Sequence, residues 1–176
     1  MTGRDLFETE RLVLSGWGPD QVDDLMALHG NPNIARYLSV SGAPWTREQA
    51  DAALPHWMEL FETQQLGKLR LRRKSDGAFV GRAGFGIYPP TGEAEIGYAL
   101  LERHQGEGYA KEAAAGLRDW FFANGKGEHF IGMADIRNAP SLAVLGKIGM
   151  EKTHVAVDHN GLTCQFHIYT RAHHGR

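Results

Sequence analysis

The segment from Glu95 to Ala113 constrains this chain most, because its backbone must change regime twice within a short distance. Ile96, Tyr98 and Leu100 alternate with Glu95, Gly97 and Ala99, which is the period of a strand. Gly106 and Gly108 follow and permit a tight turn without a side chain blocking a close ligand. After Gly108 the period becomes helical. Ala113, Leu117, Trp120 and Phe121 share one face until Asn124-Gly125 supplies a stop. A strand feeding a helix through such a turn points free N–H groups outward, and the helix dipole adds roughly half a positive charge there. The pattern therefore predicts an anion site, with a pyrophosphate as its natural occupant.

Two familiar phosphate loops are excluded. Gly106-Glu107-Gly108 lacks the third glycine of the dinucleotide fingerprint, and no Gly-Lys-Ser/Thr follows for a Walker loop. The segment does fit Gln/Arg-x-x-Gly-x-Gly/Ala, as Gln105, Gly106, Glu107, Gly108, Tyr109 and Ala110. In this it resembles the acyl-CoA pyrophosphate loop of the GNAT N-acetyltransferases. The continuation through Lys111, Glu112 and Ala113 resembles the ribosomal-protein N-terminal-acetyltransferase-like (Rim-type) branch, which acetylates protein N-termini and small amines.

Composition narrows the setting. The 176 residues suffice for one domain, expected over 1–176, with a sizeable core. A formal net charge of -2 gives no global drive toward nucleic acid or an anionic membrane. No apolar run approaches the roughly 20 residues of a spanning helix, and acids stand where a signal peptide would need an apolar core. The single cysteine, Cys164, cannot form an internal disulfide. Together these predict a cytoplasmic setting. The 9 histidines include no zinc spacing, so no metal is expected.

Along the chain, Leu12 and Leu14 mark a first strand, in a Thr9-Glu10-Arg11-Leu12 phrase typical of the resembled branch. Asp20 is expected to cap a helix carrying Val22, Leu25 and Leu28. Thr46 to Gln49 is a capping-box pattern opening a helix that Pro55 should kink or divide. Tyr37, Trp45 and Trp57 stand where they either line a pocket or fill the core. Lys68, Arg70, Arg72 and Lys74 share one face of the next strand, read as a solvated face rather than a nucleic-acid stripe. Ser75-Asp76-Gly77 turns the chain into a strand from Phe79 to Tyr88, and Pro89 to Gly92 turns it into the central strand. His129 to Ile136 should run parallel to that strand by a right-handed crossover. A helix opening at Asn138 and a hairpin around Asn160-Gly161 complete the chain, with a frayed tail beyond Arg171.

This order matches the GNAT fold, so the resemblance covers nearly the whole chain. It implies an α/β (α+β) architecture: a central, mixed, largely antiparallel and splayed sheet of about seven strands, flanked by about four helices. It also implies acetyl-CoA as co-substrate and an amine acceptor, either a small molecule or a protein N-terminus. The expected partners include no nucleic acid and no membrane, and the chain is expected as monomer or homodimer.

Site residues follow from the same resemblance. Gln105, Gly106, Glu107, Gly108, Tyr109 and Ala110 would hold the pyrophosphate. Backbone near Ala99, Leu100 and Leu101 would bind the pantetheine arm in a gap between splayed strands, and would polarise the thioester carbonyl. Ser141 stands where this branch often places an acid for the leaving thiolate. It also has a plainer reading as a first-turn helix residue. Asn138 either caps that helix, contacts pantetheine, or does both. Glu95 is the expected base, with Glu93 as a second candidate acting through water. His104 is expected at the loop surface, exposed to solvent. A different class remains open at this point: a non-catalytic acyl-CoA-binding or sensing module.

Overall fold

The computed structural model describes residues 3–175. Residues 1, 2 and 176 of the expected 1–176 domain therefore lie outside the described residues. One mixed sheet organises the chain. Its strands are β1 (Asp5–Glu8), β2 (Leu12–Ser15), β3 (Gly67–Arg73), β4 (Phe79–Ile87), β5 (Ala94–Leu100), β6 (His129–Asp135), β7 (Glu151–Val157) and β8 (Thr163–Thr170). Their spatial order is β1-β2-β3-β4-β5-β6-β8-β7. Among the described residues only the β5–β6 pair is parallel; the others are antiparallel. The parallel pair is joined through α4 (Tyr109–Ala123), as its strand-loop-helix pattern requires.

The sheet has 8 strands where about seven were expected, because Asp5–Glu8 folds back on Leu12–Ser15 as a hairpin. Helices α1 (Val22–His29), α2 (Pro32–Ala35) and α3 (Arg47–Gln64) lie between β2 and β3, α5 (Ala139–Lys147) precedes β7, and α6 (Arg171–His174) ends the fold. So the tail expected to fray begins with a helical turn, which Thr170 caps through the His173 N–H. Gln21, not Asp20, occupies the first cap of α1, without a side-chain cap bond. Thr46 and Gln49 do close a reciprocal capping box on α3.

Pro55 neither divides α3 nor ends it: the helix runs unbroken from Arg47 to Gln64. The proline removes the bond that the Asp51 carbonyl would accept. Asp51 and Pro55 are both exposed, so water can satisfy that carbonyl.

Helix α4 buries Ala113, Ala114, Leu117, Phe121 and Phe122 against one face of the sheet, where they meet Phe85, Ile96 and Phe130. Across the sheet, α1 and α3 pack Leu25, Leu28, Ala50 and Leu54 around Trp17 and Phe79. A smaller cluster of Tyr88, Ile131, Leu162, Cys164 and Phe166 covers the other end. Among the described residues, no helix is long and apolar enough to cross a membrane.

The basic face of β3 is solvated only in part: Lys74 is exposed, whereas Lys68 and Arg70 are covered. Arg70 bonds Asp24 of α1 through Nε and Nη2 and lies over the Phe79 ring. Arg72 reaches Asp5 on β1, and Lys68 lines an internal cavity. Helices α1 and α3 cover this face, and strand period cannot reveal what lies above a strand.

Candidate active site

Strands β5 and β6 pair only at Glu95 with Ile131 and at Ile96 with Gly132. Beyond those positions β5 stays paired to β4 and β6 to β8, so their facing edges separate and open a gap. Leu101 N–H is spent on the Val80 carbonyl at 3.0 Å. The alternation of an antiparallel ladder then turns the backbone groups of Ala99 toward β4 as well, and those of Tyr98 and Leu100 toward the gap. Gln105 Nε2 donates to the Leu100 carbonyl at 3.1 Å, tying the following loop to the strand end. Of Ala99, Leu100 and Leu101, it is Leu100 that directs an N–H into the gap.

After β5 the chain makes one 3-10 turn, Glu102–His104, and then passes Gly106 at φ 81° and Gly108 at φ 82°. Both values lie in the left-handed region that favours glycine. A Cβ on Gly106 would meet nothing within 4 Å. Gly108 starts α4 with no side-chain cap, and Glu112 N–H bonds back to the Gly108 carbonyl. The first N–H groups of α4 thus lack intrahelical acceptors at a positive dipole end, and they fit a pyrophosphate.

The phrases at Thr9–Leu12 and at Glu112 turn out to bond each other. Glu112 Oε1 accepts from Thr9 Oγ1 at 2.6 Å and from Arg11 N–H at 2.7 Å, and Oε2 accepts from Arg11 Nε at 2.7 Å. Arg11 Nη1 also donates to the Glu107 carbonyl at 2.9 Å, and its guanidinium lies 4.4 Å over the Tyr109 ring. Burial opposes ionisation of Glu112, but these bonds prevail and hold its carboxyl below the usual range. One side chain from the first hairpin thereby fixes the loop and the start of α4 together.

His104 is buried at 6% exposure, not solvent-facing as expected, and packs edge-on near Tyr109. Burial, then Arg103 and Arg73, push its pKa down. A neutral histidine held under the loop is a packing group.

A cavity of about 410 Å³ lies where β5 and β6 part. Glu95, Tyr98, Asn138 and Ser141 line it, together with Tyr37, Trp45 and Trp57. The structure therefore brings both expected catalytic residues to one cavity. A second, more open depression between Phe7 of β1 and Trp120 of α4 contains none of the expected site residues.

Asn138 Oδ1 accepts from Ser141 N–H at 3.4 Å as the cap of α5. Ser141 Oγ donates to Tyr98 Oη at 3.4 Å, while Tyr98 Oη donates to the Ser141 carbonyl at 2.7 Å. Burial pushes the Tyr98 phenol up, so it keeps its proton. Burial also raises the Glu95 carboxyl, against the pull of Lys68, His159 and Arg82. Glu93 is committed elsewhere: His129 Nε2 meets its Oε2 at 2.6 Å. That contact, then one from Thr91, holds the Glu93 carboxyl low, the opposite of Glu95.

Several residues of this site escaped sequence reading. Tyr98 was read only as an apolar position of a strand. His29 and Arg82 carried no signal, and Lys68 was assigned to water. Arg11 and Glu112 did carry one, since each belongs to a quoted phrase.

The acetyltransferase (GNAT) domain family matches residues 11–151 of the chain. An uncharacterized N-acetyltransferase, p20, of Bacillus licheniformis is 28% identical over 146 residues, covering 82% of this chain and 81% of that protein. The acetyltransferase structure from Agrobacterium tumefaciens str. C58 superposes with a TM-score of 0.77 at 26% identity, covering 97% of this chain and 96% of the other. RimL, a ribosomal L7/L12 alpha-N-protein acetyltransferase solved in complex with coenzyme A, gives 0.78 at 15% identity, covering 97% and 99%. That last likeness concerns the fold.

Proposed function

The chain belongs to the GNAT acetyltransferase family, and on that premise we propose that it transfers acetyl from acetyl-CoA to a primary amine by direct attack in a ternary complex. The single observation that carries this reading is the parting of β5 from β6 beside an uncapped helix start. An open strand edge suits the amides of pantetheine, and the N–H groups at Gly108–Ala110 suit its pyrophosphate. RimL, with the same fold, is solved with coenzyme A.

Acetyl-CoA supplies the activated carbonyl. The protein's residues do the rest. The Leu100 N–H faces the gap as a donor for that carbonyl. Glu95, with its carboxyl raised by burial, takes a proton from the incoming ammonium, directly or through one water. Ser141, whose hydroxyl is positioned beside Tyr98, gives a proton to the leaving thiolate and regains one from the nitrogen of the tetrahedral adduct, so serine, thiol and amide all end neutral. Asn138 fixes the turn that presents Ser141. Positioning within the cavity contributes further rate.

Calorimetric titration with acetyl-CoA and free CoA, with ATP and NAD as controls, tests the cofactor half. Micromolar binding of the CoA species alone is expected. Acetyl transfer to a broad amine panel tests the other half. CoA binding without transfer to any amine would make the chain a non-catalytic acyl-CoA module instead.

A further inference from the structure

Two cations share one wall of the central cavity. Lys68 comes from β3 and Arg82 from the neighbouring β4. A Cβ at Gly97 would stand 3.7 Å from Arg82 Nη1 and 3.8 Å from Lys68 Nζ. Residue 97 has no side chain, so a point reached by both nitrogens is left open beside the β5 backbone.

Among the described residues neither cation is hydrogen-bonded or ion-paired to a carboxylate, and Glu95 acts on both only from across the cavity. Arg82 is 4% exposed, its Nη1 has no hydrogen-bond partner, and its Nε bonds the neutral ring of His29. Lys68 makes no ion pair within 4.0 Å among the described residues. Arg82 and then burial push the Lys68 ammonium down to about 8, and Glu95 opposes them only in part. Arg82 is buried and Lys68 half-buried, and two like charges so placed with no directly bonded carboxylate are costly; an anion between them lowers that cost. Glu95 and Asp158 line the same cavity, and Tyr37, Trp45 and Trp57 give it an aromatic wall.

We propose that the acceptor is a small amine carrying its own carboxylate, an amino-acid-like molecule whose anionic group sits at Gly97 between Lys68 and Arg82. This rests on the acetyl-transfer reading above. The carboxylate neutralises the cation pair, the aromatic wall receives the apolar part of the molecule, and the amine is left to Glu95. A monoamine or polyamine without a carboxylate leaves the point between Lys68 and Arg82 without an anion.

The test uses products, so it needs no turnover. N-acetyl derivatives of aromatic and aliphatic amino acids are titrated into the CoA-loaded protein beside their carboxamides. The acid of a matched pair should bind more tightly by about tenfold or more, the size expected for hydrogen bonds to charged groups. Lys68→Met and Arg82→Met should each abolish that preference while leaving CoA affinity unchanged. Lys68→Met alone decides the matter if the buried Arg82 variant fails to fold. Equal binding of acids and amides, or binding of neither, overturns the inference. So does a Lys68→Met variant that weakens both members of a pair alike. CoA affinity, read in the same instrument, reports on the cofactor half of the acetyl-transfer reading, and transfer to the amine panel reports on the other half, so a failure of either idea is distinguishable from a failure of the other.

Discussion

Arg82 Nε donates to His29 Nε2 across 2.9 Å, with the two side chains only 4% and 3% exposed. The bond requires Nε2 of His29 to be unprotonated. Burial first, then Arg82 and Lys68, push the His29 pKa down to about 2. Trp45 stacks on the ring at 4.1 Å.

A pH dependence of stability follows. Unfolded His29 gains a proton as pH falls through about 6.5, but folded His29 does not until about 2. Over that window the unfolded state holds the extra proton, so stability falls as pH falls. The slope from His29 alone is at most about 1.4 kcal/mol per pH unit. His104 and His167 are depressed in the same direction and add to it. Thermal unfolding between pH 7.5 and pH 5 should show the loss, offset in part by Glu95, whose raised carboxyl contributes with the opposite sign. His29→Gln keeps an acceptor for Arg82 and should flatten the slope; an unchanged slope would assign it to other groups.

Glu112→Ala should loosen the cofactor loop from a distance. It removes the acceptor of three hydrogen bonds, two of them from the Arg11 side chain and backbone. The loss should be about 2 kcal/mol in chemical denaturation. CoA affinity should fall several-fold because Gly108 and the first turn of α4 lose their anchor. Full CoA affinity in a destabilised variant would separate the clamp from the loop.

Glu95→Gln should lower kcat by about 100-fold, a typical contribution for one general base. In the native protein the acidic limb of the kcat/KM profile should lie above 4.5, because burial raises this carboxyl. The variant should lack that limb. Unchanged turnover across pH would remove Glu95 as the base.

Ser141→Ala should lower turnover with little change in CoA affinity. Tyr98→Phe should act more mildly, costing about 1 kcal/mol for the bond from Tyr98 to the Ser141 carbonyl. An equal loss of CoA affinity in Ser141→Ala would make Ser141 a binding residue.

Much of the fold was legible because its signals are local. The alternation at Ile96, Tyr98 and Leu100 gave β5, and the glycines at 106 and 108 gave the turn before α4. Thr46 and Gln49 marked the start of α3 through bonds within one turn of chain. The short β1 was missed because Asp5–Glu8 has little alternation of its own and exists by pairing with β2. Pro55 does not divide α3, one of the two outcomes expected of it: the penalty is local, and exposure lets water satisfy the Asp51 carbonyl that the proline leaves free.

What the sequence by itself determined is the order of elements, the glycine-bearing turn and the presence of Glu95 and Ser141 near one strand and one helix start. These depend on periods and dihedral preferences spanning a few neighbouring residues. Only the tertiary structure decided which residues share a cavity. Lys68, Arg82 and His29 converge because β3 and β4 pair with Lys68 opposite Gly84 and Arg70 opposite Arg82, and α1 ends with His29 against Arg82. Tyr98 meets Ser141 across 43 positions of sequence, and Arg11 meets Glu112 across 101. Such contacts arise from packing between distant segments, and no local period encodes them.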